Sequence, residues 1–239
     1  MPVLGVRYSE EFLSNPKNHR LRPSLLLQND GLNVLVDAGA DMRVQLLREG
    51  VFDLEAVIIT HTHADHVMGM DDLRCFCATT RRPMPVYCQA QDQADIKRIF
   101  DYAFREFPKG VMVPRFELRD VVGSIEVGGM QIMTFPVMHG PTKVLGLRIN
   151  DFAYLTDVNF IPEESWGHLR ELQTLVIDAV RVKPHPNHYH LDAALEVITR
   201  ISAKQTYLTH LSHDYDHDET NSTLPEGIQL AFDGLRIAI

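Results

Sequence analysis

Cysteine is scarce in this 239-residue sequence, and long apolar runs are missing. The three cysteines are odd in number and show no C-x-x-C spacing, which argues against a disulfide framework and against a cysteine-rich structural zinc site. No apolar stretch approaches the roughly 18 residues that a membrane-spanning helix needs. The start, Met1 to Arg7, lacks the features of a secretory signal. We therefore expect a globular cytoplasmic protein without a membrane partner.

Clustered positive charge is also missing. Asp and Glu number 32 against 23 Lys and Arg, which gives a formal net charge of −9. Proteins that bind duplex nucleic acid neutralise its phosphates with clusters of Lys and Arg. Duplex nucleic acid is therefore not an expected partner.

Histidine, by contrast, is plentiful. The chain has 12 histidines, and most of them lie in four short neighbourhoods of the sequence. Histidines kept for packing or solvation would be scattered along the chain. This clustering makes metal binding the first hypothesis.

Apolar runs bounded by turn residues predict many short strands and fewer helices. Hairpin turns are predicted at Asn29-Asp30-Gly31, Gly128-Gly129 and Asn150-Asp151. Buried strands are predicted at 56–60 and 174–180, and helices at 91–107 and 191–201. The order has no regular βαβ period. It favours a single α/β (α+β) domain over residues 1–239, with two mixed sheets packed face to face and helices outside.

Six acidic or histidine residues lie at or just after the ends of predicted strands. They are Asp37, His61, His139, Asp157, Asp178 and His210. Loops held by a rigid sheet edge are where functional sites are built. The run from His61 to His66, H-T-H-A-D-H, follows a buried strand and offers several imidazoles and one carboxylate at close spacing. These ligand types suit zinc, manganese or iron, and their spacing favours two adjacent divalent ions.

The motif and the order of the later residues resemble the metallo-β-lactamase superfamily of hydrolases. The resemblance implies an αββα sandwich and assigns Asp37 to orienting a ligand. It also implies a hydroxide shared by two metal ions as the nucleophile. The implied ligands are His61, His63 and His139 for one metal, Asp65, His66 and His210 for the second, and Asp157 as a bridge.

From about Met1 to its end, the chain is similar to one branch of that superfamily, the PhnP-like phosphoribosyl 1,2-cyclic phosphate phosphodiesterases. The similarity includes the run from Lys183 to His188 and the segment from Thr209 to His213. It implies a small cyclic phosphodiester as substrate, with His188 as general acid beside Asp65 in the catalytic set. Relatives also carry a cysteine cluster for an extra structural metal, where this chain has no cysteine in residues 5–12. The chain also begins later than those relatives, so we expect either that an edge strand is absent or that the true start lies upstream of Met1.

Two other functions and several histidine roles stay open. The alternatives are an RNA-processing or cyclic-nucleotide phosphodiesterase of the same superfamily, and a non-catalytic metal-binding accessory protein in cofactor biosynthesis. A homodimer is compatible with the sequence. The histidines without an assigned role are His185, His190, His213 and His217, of which His213 is the favoured candidate for the site.

Overall fold

A computed structural model describes residues 2–108 and 110–239, and Met1, with which the amino-terminal segment considered above begins, lies outside them. The strands of the described residues are β1 (Leu25–Asn29), β2 (Leu32–Val36), β3 (Ala56–Ile58), β4 (Met84–Cys88), β5 (Phe116–Asp120), β6 (Ser124–Val127), β7 (Met130–His139), β8 (Thr142–Ile149), β9 (Phe152–Leu155), β10 (Thr174–Asp178), β11 (Gln205–Thr209) and β12 (Ile228–Leu230). The α-helices are α1 (Glu10–Ser14), α2 (Met42–Arg48), α3 (Ala64–Val67), α4 (Arg74–Thr80), α5 (Ala90–Ile99), α6 (Leu191–Ile201) and α7 (His217–Thr223). Among the described residues, none of these helices has the length and apolar character that crossing a membrane requires.

The chain divides into two compact units. The central unit is Arg22–Thr134, and the terminal unit combines the residues up to Leu21 with Phe135–Ile239. Strand β7 runs from the central unit into the terminal unit. The expectation of a single domain over residues 1–239 stays a prediction.

The central unit contains a five-stranded mixed sheet with the order β1-β2-β3-β4-β5. Strands β1 and β2 form the antiparallel hairpin that the Asn29-Asp30-Gly31 turn predicts. Strands β2 to β5 are parallel to one another. All three residues of β3 are buried, as its unbroken apolar run predicts. Helices α2, α4 and α5 contribute side chains to the same hydrophobic core.

A second mixed sheet has the order β12-β11-β10-β9-β8-β7-β6, and its strands β8 to β12 lie wholly in the terminal unit. Strands β9 to β12 are parallel, whereas β8 and β9 pair as the predicted hairpin around Asn150-Asp151. Helix α6 has the predicted bounds and buries Ala194, Ile198 and Ile201 on one face. The prediction of two mixed sheets is confirmed.

Three predicted elements are shorter than the sequence indicates. The helix predicted over 91–107 ends at Ile99 and is followed by a 3₁₀ turn, Asp101–Phe104. Phe100 leaves the helical conformation there, and its buried ring packs edge-on against Phe116 at 5.9 Å. Strands β3 and β10 end at Ile58 and Asp178, before the predicted residues 60 and 180, because the chain turns there into the loops that carry the polar residues described next.

Candidate metal centre

In the central unit, the polar residues follow the carboxyl ends of two parallel strands. Val36 of β2 is in register with Ile58 of β3, so the two strands end together. Asp37 comes directly after β2, and His61 comes three residues after β3. In α/β sheets this edge is where ligands bind.

The histidine run folds into a tight cluster because α3 begins within it. The His61 ring centroid lies 4.5 Å from that of His63 and 4.3 Å from that of His66. Oδ2 of Asp65 lies 3.5 Å from Nε2 of His66. The His61 and His66 side chains are buried, whereas Asp65 is 37% exposed. Three imidazoles and one carboxylate are therefore brought together in the central unit, as the motif predicts.

The Asp37 carboxylate contacts both Thr60 and His66 of this cluster. It accepts hydrogen bonds from the Thr60 backbone N–H at 2.8 Å and from Oγ1 of Thr60 at 2.8 Å. Oδ2 also lies 2.8 Å from Nδ1 of His66. Asp37 has φ 63°, in the left-handed region that non-glycine residues rarely occupy. Backbone strain of this kind is concentrated at functional sites.

The backbone around Gly39 packs closely against helix α3. Ala38 donates to the carbonyl of His66 at 2.7 Å and accepts from the N–H of Gly69 at 2.8 Å. A Cβ at Gly39 would lie 2.0 Å from the carbonyl oxygen of Asp65. The helix that carries two candidate ligands therefore needs glycine at this position.

In the terminal unit, the carboxyl ends of β9, β10 and β11 carry a second cluster. These strands are parallel, and they are followed or ended by Asp157, Asp178 and His210. Oδ1 of Asp157 lies 3.2 Å from Nε2 of His210. Asp157 has φ 48° and His210 has φ 56°, both left-handed. A candidate ligand atom of Asp157 also lies within 4.8 Å of one from His139 and of one from His210.

His139 ends β7 and is fixed by the loop that leads to His188. Its Nδ1 lies 2.7 Å from the backbone carbonyl oxygen of Asn187. Asn159 joins the same two segments, because its side chain accepts from Gly140 N–H at 2.8 Å and donates to the Pro186 carbonyl at 2.9 Å. The loop before His188 is thus held against the end of β7.

The donor sets in both units fit divalent metal ions. The Nδ1 atoms of three histidines lie at hydrogen-bond distance from an oxygen: His61 from Oγ1 of Thr60, His66 from Asp37, and His139 from Asn187. Metal-binding histidines almost always use one ring nitrogen in this way and ligate through the other. Imidazole nitrogen and carboxylate oxygen suit zinc, manganese or iron.

His188 belongs to the terminal cluster and pairs with a buried carboxylate. Nδ1 of His188 lies 2.6 Å from Oδ2 of Asp178. Burial raises the pKa of Asp178, and the hydrogen bond to His188 opposes that shift. The His185 ring lies 4.8 Å from that of His188, and burial together with His188 and Arg181 lowers the pKa of His185.

The remaining histidines have other surroundings. His213 contacts Tyr8, ring centroid to ring centroid 6.2 Å, and its Nε2 lies 3.7 Å from Asp214. His190 is the N-cap residue of α6. Nδ1 of His217 lies 3.1 Å from Nη2 of Arg20, and burial followed by the Arg20 charge lowers the pKa of His217 to about 4. Of the four unassigned histidines, these contacts place only His185 beside His188.

Sequence reasoning missed the parts played by Thr60, Asp178 and Asn159. Asp178 carried a signal, because it was predicted to lie near a strand end, but nothing in the sequence indicates that it pairs with His188. The contacts of Thr60 and Asn159 depend on chain segments that meet only in the folded units.

Comparison with known proteins gives matches that include both clusters of candidate ligands. The family model for the β-lactamase superfamily domain matches residues 32–211. An octanoyltransferase of Porphyromonas gingivalis is 35% identical over 225 residues, which are 92% of this chain. The match spans 45% of that protein's length, less than half. A ribonuclease Z of Methanopyrus kandleri is 27% identical over 139 residues, 54% of this chain and 44% of that protein.

A solved structure gives a fuller match. The crystal structure of a diphosphatase from the PhnP family superposes with a TM-score of 0.91 and 40% sequence identity. The match covers 100% of this chain and 92% of that one. It extends along both units.

Proposed function

The chain belongs to the β-lactamase superfamily and to its PhnP family, with the metallo-β-lactamase fold of a metal-dependent hydrolase, and from this premise we propose that it is a phosphodiesterase. The proposed substrate is a small cyclic phosphate ester such as phosphoribosyl 1,2-cyclic phosphate. Neither the net charge of −9 nor the lack of basic clusters favours a duplex nucleic acid substrate.

The observation that carries the proposal is the position of His188 among candidate ligands. Its ring centroid lies 4.3 Å from that of His139 and 4.9 Å from that of His210. Cleaving a phosphodiester of a sugar releases a basic alkoxide, which needs a proton as it leaves. An imidazole is well suited to proton transfer near neutral pH. A proton donor among metal ligands is the arrangement that this reaction requires.

We propose that the candidate ligands bind two divalent ions of zinc, manganese or iron. The proposed ligands are His61, His63, Asp65, His66, His139, Asp157 and His210. When bound, such ions supply positive charge to the phosphoryl oxygens and lower the pKa of water. The terminal unit supports this set by placing candidate ligand atoms of Asp157 close to those of His139 and His210.

Two residues have proton-handling roles in the proposed reaction. His188 donates a proton from Nε2 to the leaving oxygen, because its Nδ1 is engaged by Asp178 at 2.6 Å. Asp65 is 37% exposed and accepts a proton from the attacking water. The engagement of Nδ1 supports the choice of Nε2, since the two nitrogens lie on opposite edges of the ring.

Diphosphate hydrolysis is the second candidate, and the 40% identical diphosphatase favours it. The two reactions differ in the leaving group. A diphosphate releases a phosphate, which is much less basic than a sugar alkoxide and depends less on a proton donor. Replacing His188 should therefore slow cleavage of a cyclic ribose phosphate far more than cleavage of a diphosphate.

Three other functions have weaker support. The ribonuclease Z match covers 54% of this chain, and the test therefore includes a transfer-RNA precursor as one substrate. We do not propose octanoyl transfer, because more than half of that relative's length has no counterpart in this chain. A metal-binding accessory role would predict metal uptake without turnover.

The test compares turnover of a cyclic ribose phosphate, a cyclic nucleotide, a diphosphate ester and a transfer-RNA precursor. We expect the cyclic ribose phosphate to give the highest kcat/KM, with loss after chelation and recovery with Mn²⁺ or Zn²⁺. Two bound ions per chain are expected by elemental analysis. Two bound ions without turnover of any phosphodiester would contradict the proposal, and a preference for the diphosphate would select the second candidate.

A further inference from the structure

Strand β5 (Phe116–Asp120) is an edge strand of the five-stranded sheet in the central unit. Among the strands of the described residues, only β4 pairs with it. An edge strand presents unpaired backbone N–H and C=O groups, and these are a template for pairing with another chain. Glu117 and Asp120 are exposed, so solvent and other chains can reach this strand.

The hydrogen bonds between β4 and β5 show which backbone groups face outward. Met84 donates to the carbonyl of Arg115 at 2.8 Å, and Val121 donates to the carbonyl of Cys88 at 3.1 Å. The backbone groups of alternate residues point to opposite edges of a strand, so the odd-numbered residues from 115 to 121 face β4. The even-numbered residues of β5 therefore direct their N–H and C=O groups outward.

Two opposite charges lie on one face of this strand. Nη2 of Arg119 lies 2.8 Å from Oε1 of Glu117, and the two side chains are 41% and 54% exposed. Nη1 of Arg119 also donates to the hydroxyl of Tyr87 at 2.8 Å, which holds the guanidinium beside β4. Residues two apart in a strand share a face, so a second copy of β5 would present the same two charges to the first.

The charges select one antiparallel register for two copies of β5. A two-fold axis at Leu118 sets Glu117 opposite Arg119 of the partner subunit, and the symmetric contact has the two roles reversed. An axis at residue 117 would set two glutamates opposite each other, and an axis at residue 119 would set two arginines opposite each other. Opposite charges across strands stabilise a pair, whereas like charges destabilise it. Because the odd-numbered residues form the non-hydrogen-bonded pairs, the side chains of Glu117 and Arg119 of the partner subunit approach closely.

We propose that the outer edge of β5 is a homodimer interface, in which two copies of the strand pair antiparallel about Leu118. Specific interfaces bury roughly 1,200 Å² or more, which strand pairing alone does not supply. Exposed apolar side chains beside the strand supply further area. Phe104 is 39% exposed with its ring centroid 6.1 Å from that of Phe116, and Val122, just beyond the strand, is 78% exposed. The dimer does not depend on the proposed reaction.

Protection of the edge is the competing explanation for the same charges. Many proteins place charged side chains on edge strands to prevent pairing with other chains. Such protection works through repulsion between copies, whereas Glu117 and Arg119 attract each other across the register centred on Leu118. The effect of charge reversal on association separates the two explanations.

The main test is a charge-reversal cycle, measured by sedimentation velocity of the full chain over micromolar concentrations. We expect the wild type to dimerise. Glu117→Arg or Arg119→Glu should weaken the dimer by about 10-fold, because each reversal creates two like-charge contacts per dimer. The double variant should restore the dimer. Raised salt should weaken the wild-type dimer and strengthen that of either single variant.

Arg43→Glu is the matched control. Arg43 is exposed on α2, which connects β2 to β3, and the sheet order places both of these strands further from the edge than β4. It makes the same charge change as Arg119→Glu, and we expect a dimer of wild-type strength. A wild type that stays monomeric would overturn the proposal. So would a dimer that neither single reversal at β5 weakens, or one that Arg43→Glu weakens equally.

Amide hydrogen exchange of the wild type tests the interface without any variant. The N–H groups of Leu118 and Asp120 face outward, so we expect their exchange to slow as the concentration rises and the dimer forms. Those of Glu117 and Arg119 face β4 and should be protected at every concentration. Rapid exchange of Leu118 and Asp120 at a concentration where the protein is dimeric would show that the dimer uses another surface.

Discussion

Asp37 and His66 form a completely buried pair in which Oδ2 of the carboxylate lies 2.8 Å from Nδ1 of the imidazole. Asp178 and His188 form a similar pair in the terminal unit at 2.6 Å. In each pair the aspartate lies at a strand end and engages Nδ1 of the histidine, as partners of metal-binding histidines commonly do. The two pairs differ in what we propose for the histidine, since His66 binds a metal and His188 donates a proton.

Replacing Asp37 by Asn should weaken metal binding. The variant removes the negative charge that orients His66 and also weakens the bonds to Thr60. We expect the affinity for Zn²⁺ or Mn²⁺ to fall by about 10- to 100-fold, as for other partners of metal-binding histidines. Competition with a chelator of known affinity measures this change.

Asp120→Asn is the control for this experiment. Asp120 also ends a parallel strand of the same sheet, but it is exposed and its side chain bonds only to the next backbone N–H among the contacts described. Its metal affinity should match the wild type. An Asp37→Asn protein with unchanged metal affinity would show that His66 is oriented without the Asp37 carboxylate.

Replacing Gly39 by Ala should disrupt the close packing of helix α3 against the backbone at residue 39. The new Cβ would meet the carbonyl oxygen of Asp65 at 2.0 Å, and this oxygen belongs to the backbone and not to a flexible side chain. We expect a loss of about 1 to 3 kcal/mol in the free energy of unfolding. Urea unfolding of the metal-free protein measures it, and metal binding should weaken as well.

Gly167→Ala provides the contrast for that prediction. No atom lies within 4 Å of the Cβ position at Gly167, and its φ is not in the left-handed region. This variant should be as stable as the wild type or slightly more so, because alanine restricts the unfolded chain. Equal destabilisation by both substitutions would argue against close packing of helix α3 at Gly39.

The sequence predicted those features that depend on neighbours along the chain. The turn at Asn29-Asp30-Gly31, the buried run of β3 and the histidine motif that follows are all local patterns, and the first two are confirmed. The pairing of Asp178 with His188 was not predictable, because the path of the nine residues 179–187 between them decides where His188 lies. At the early end of α5, Phe100 packs against Phe116 of β5, a tertiary contact that the local pattern of residues 91–107 does not indicate. Local patterns thus predicted the candidate ligands, and tertiary contacts determined their orientation.

His217 should make the protein less stable in mild acid. Its pKa is about 4 in the folded chain, because of burial and then the charge of Arg20, whereas an unfolded histidine has a pKa of about 6.5. Between these values the unfolded chain binds a proton that the folded chain does not. The free energy of unfolding should therefore fall as the pH falls from about 6.5 to 4, by about 3 kcal/mol at most.

His217→Asn isolates this contribution. Asparagine can accept the hydrogen bond that Arg20 donates to Nδ1, but it does not titrate. Urea unfolding at several pH values should give a shallower dependence for the variant than for the wild type. Parallel curves for His217→Asn and the wild type would show that His217 does not titrate with unfolding.

Replacing Asp157 separates metal binding from backbone strain. Asp157 has φ 48°, which asparagine tolerates better than most residues, and its Oδ1 accepts from Oγ1 of Thr156 at 2.8 Å. Asp157→Asn should keep the thermal stability of the metal-free protein but lose bound metal, because the charge that the ions need is gone. Asp157→Ala should lose metal equally and be less stable by about 1 to 2 kcal/mol, since alanine pays the full cost of the left-handed conformation. Elemental analysis and thermal unfolding of both variants measure the two effects, and wild-type metal content in Asp157→Asn would remove Asp157 from the ligand set.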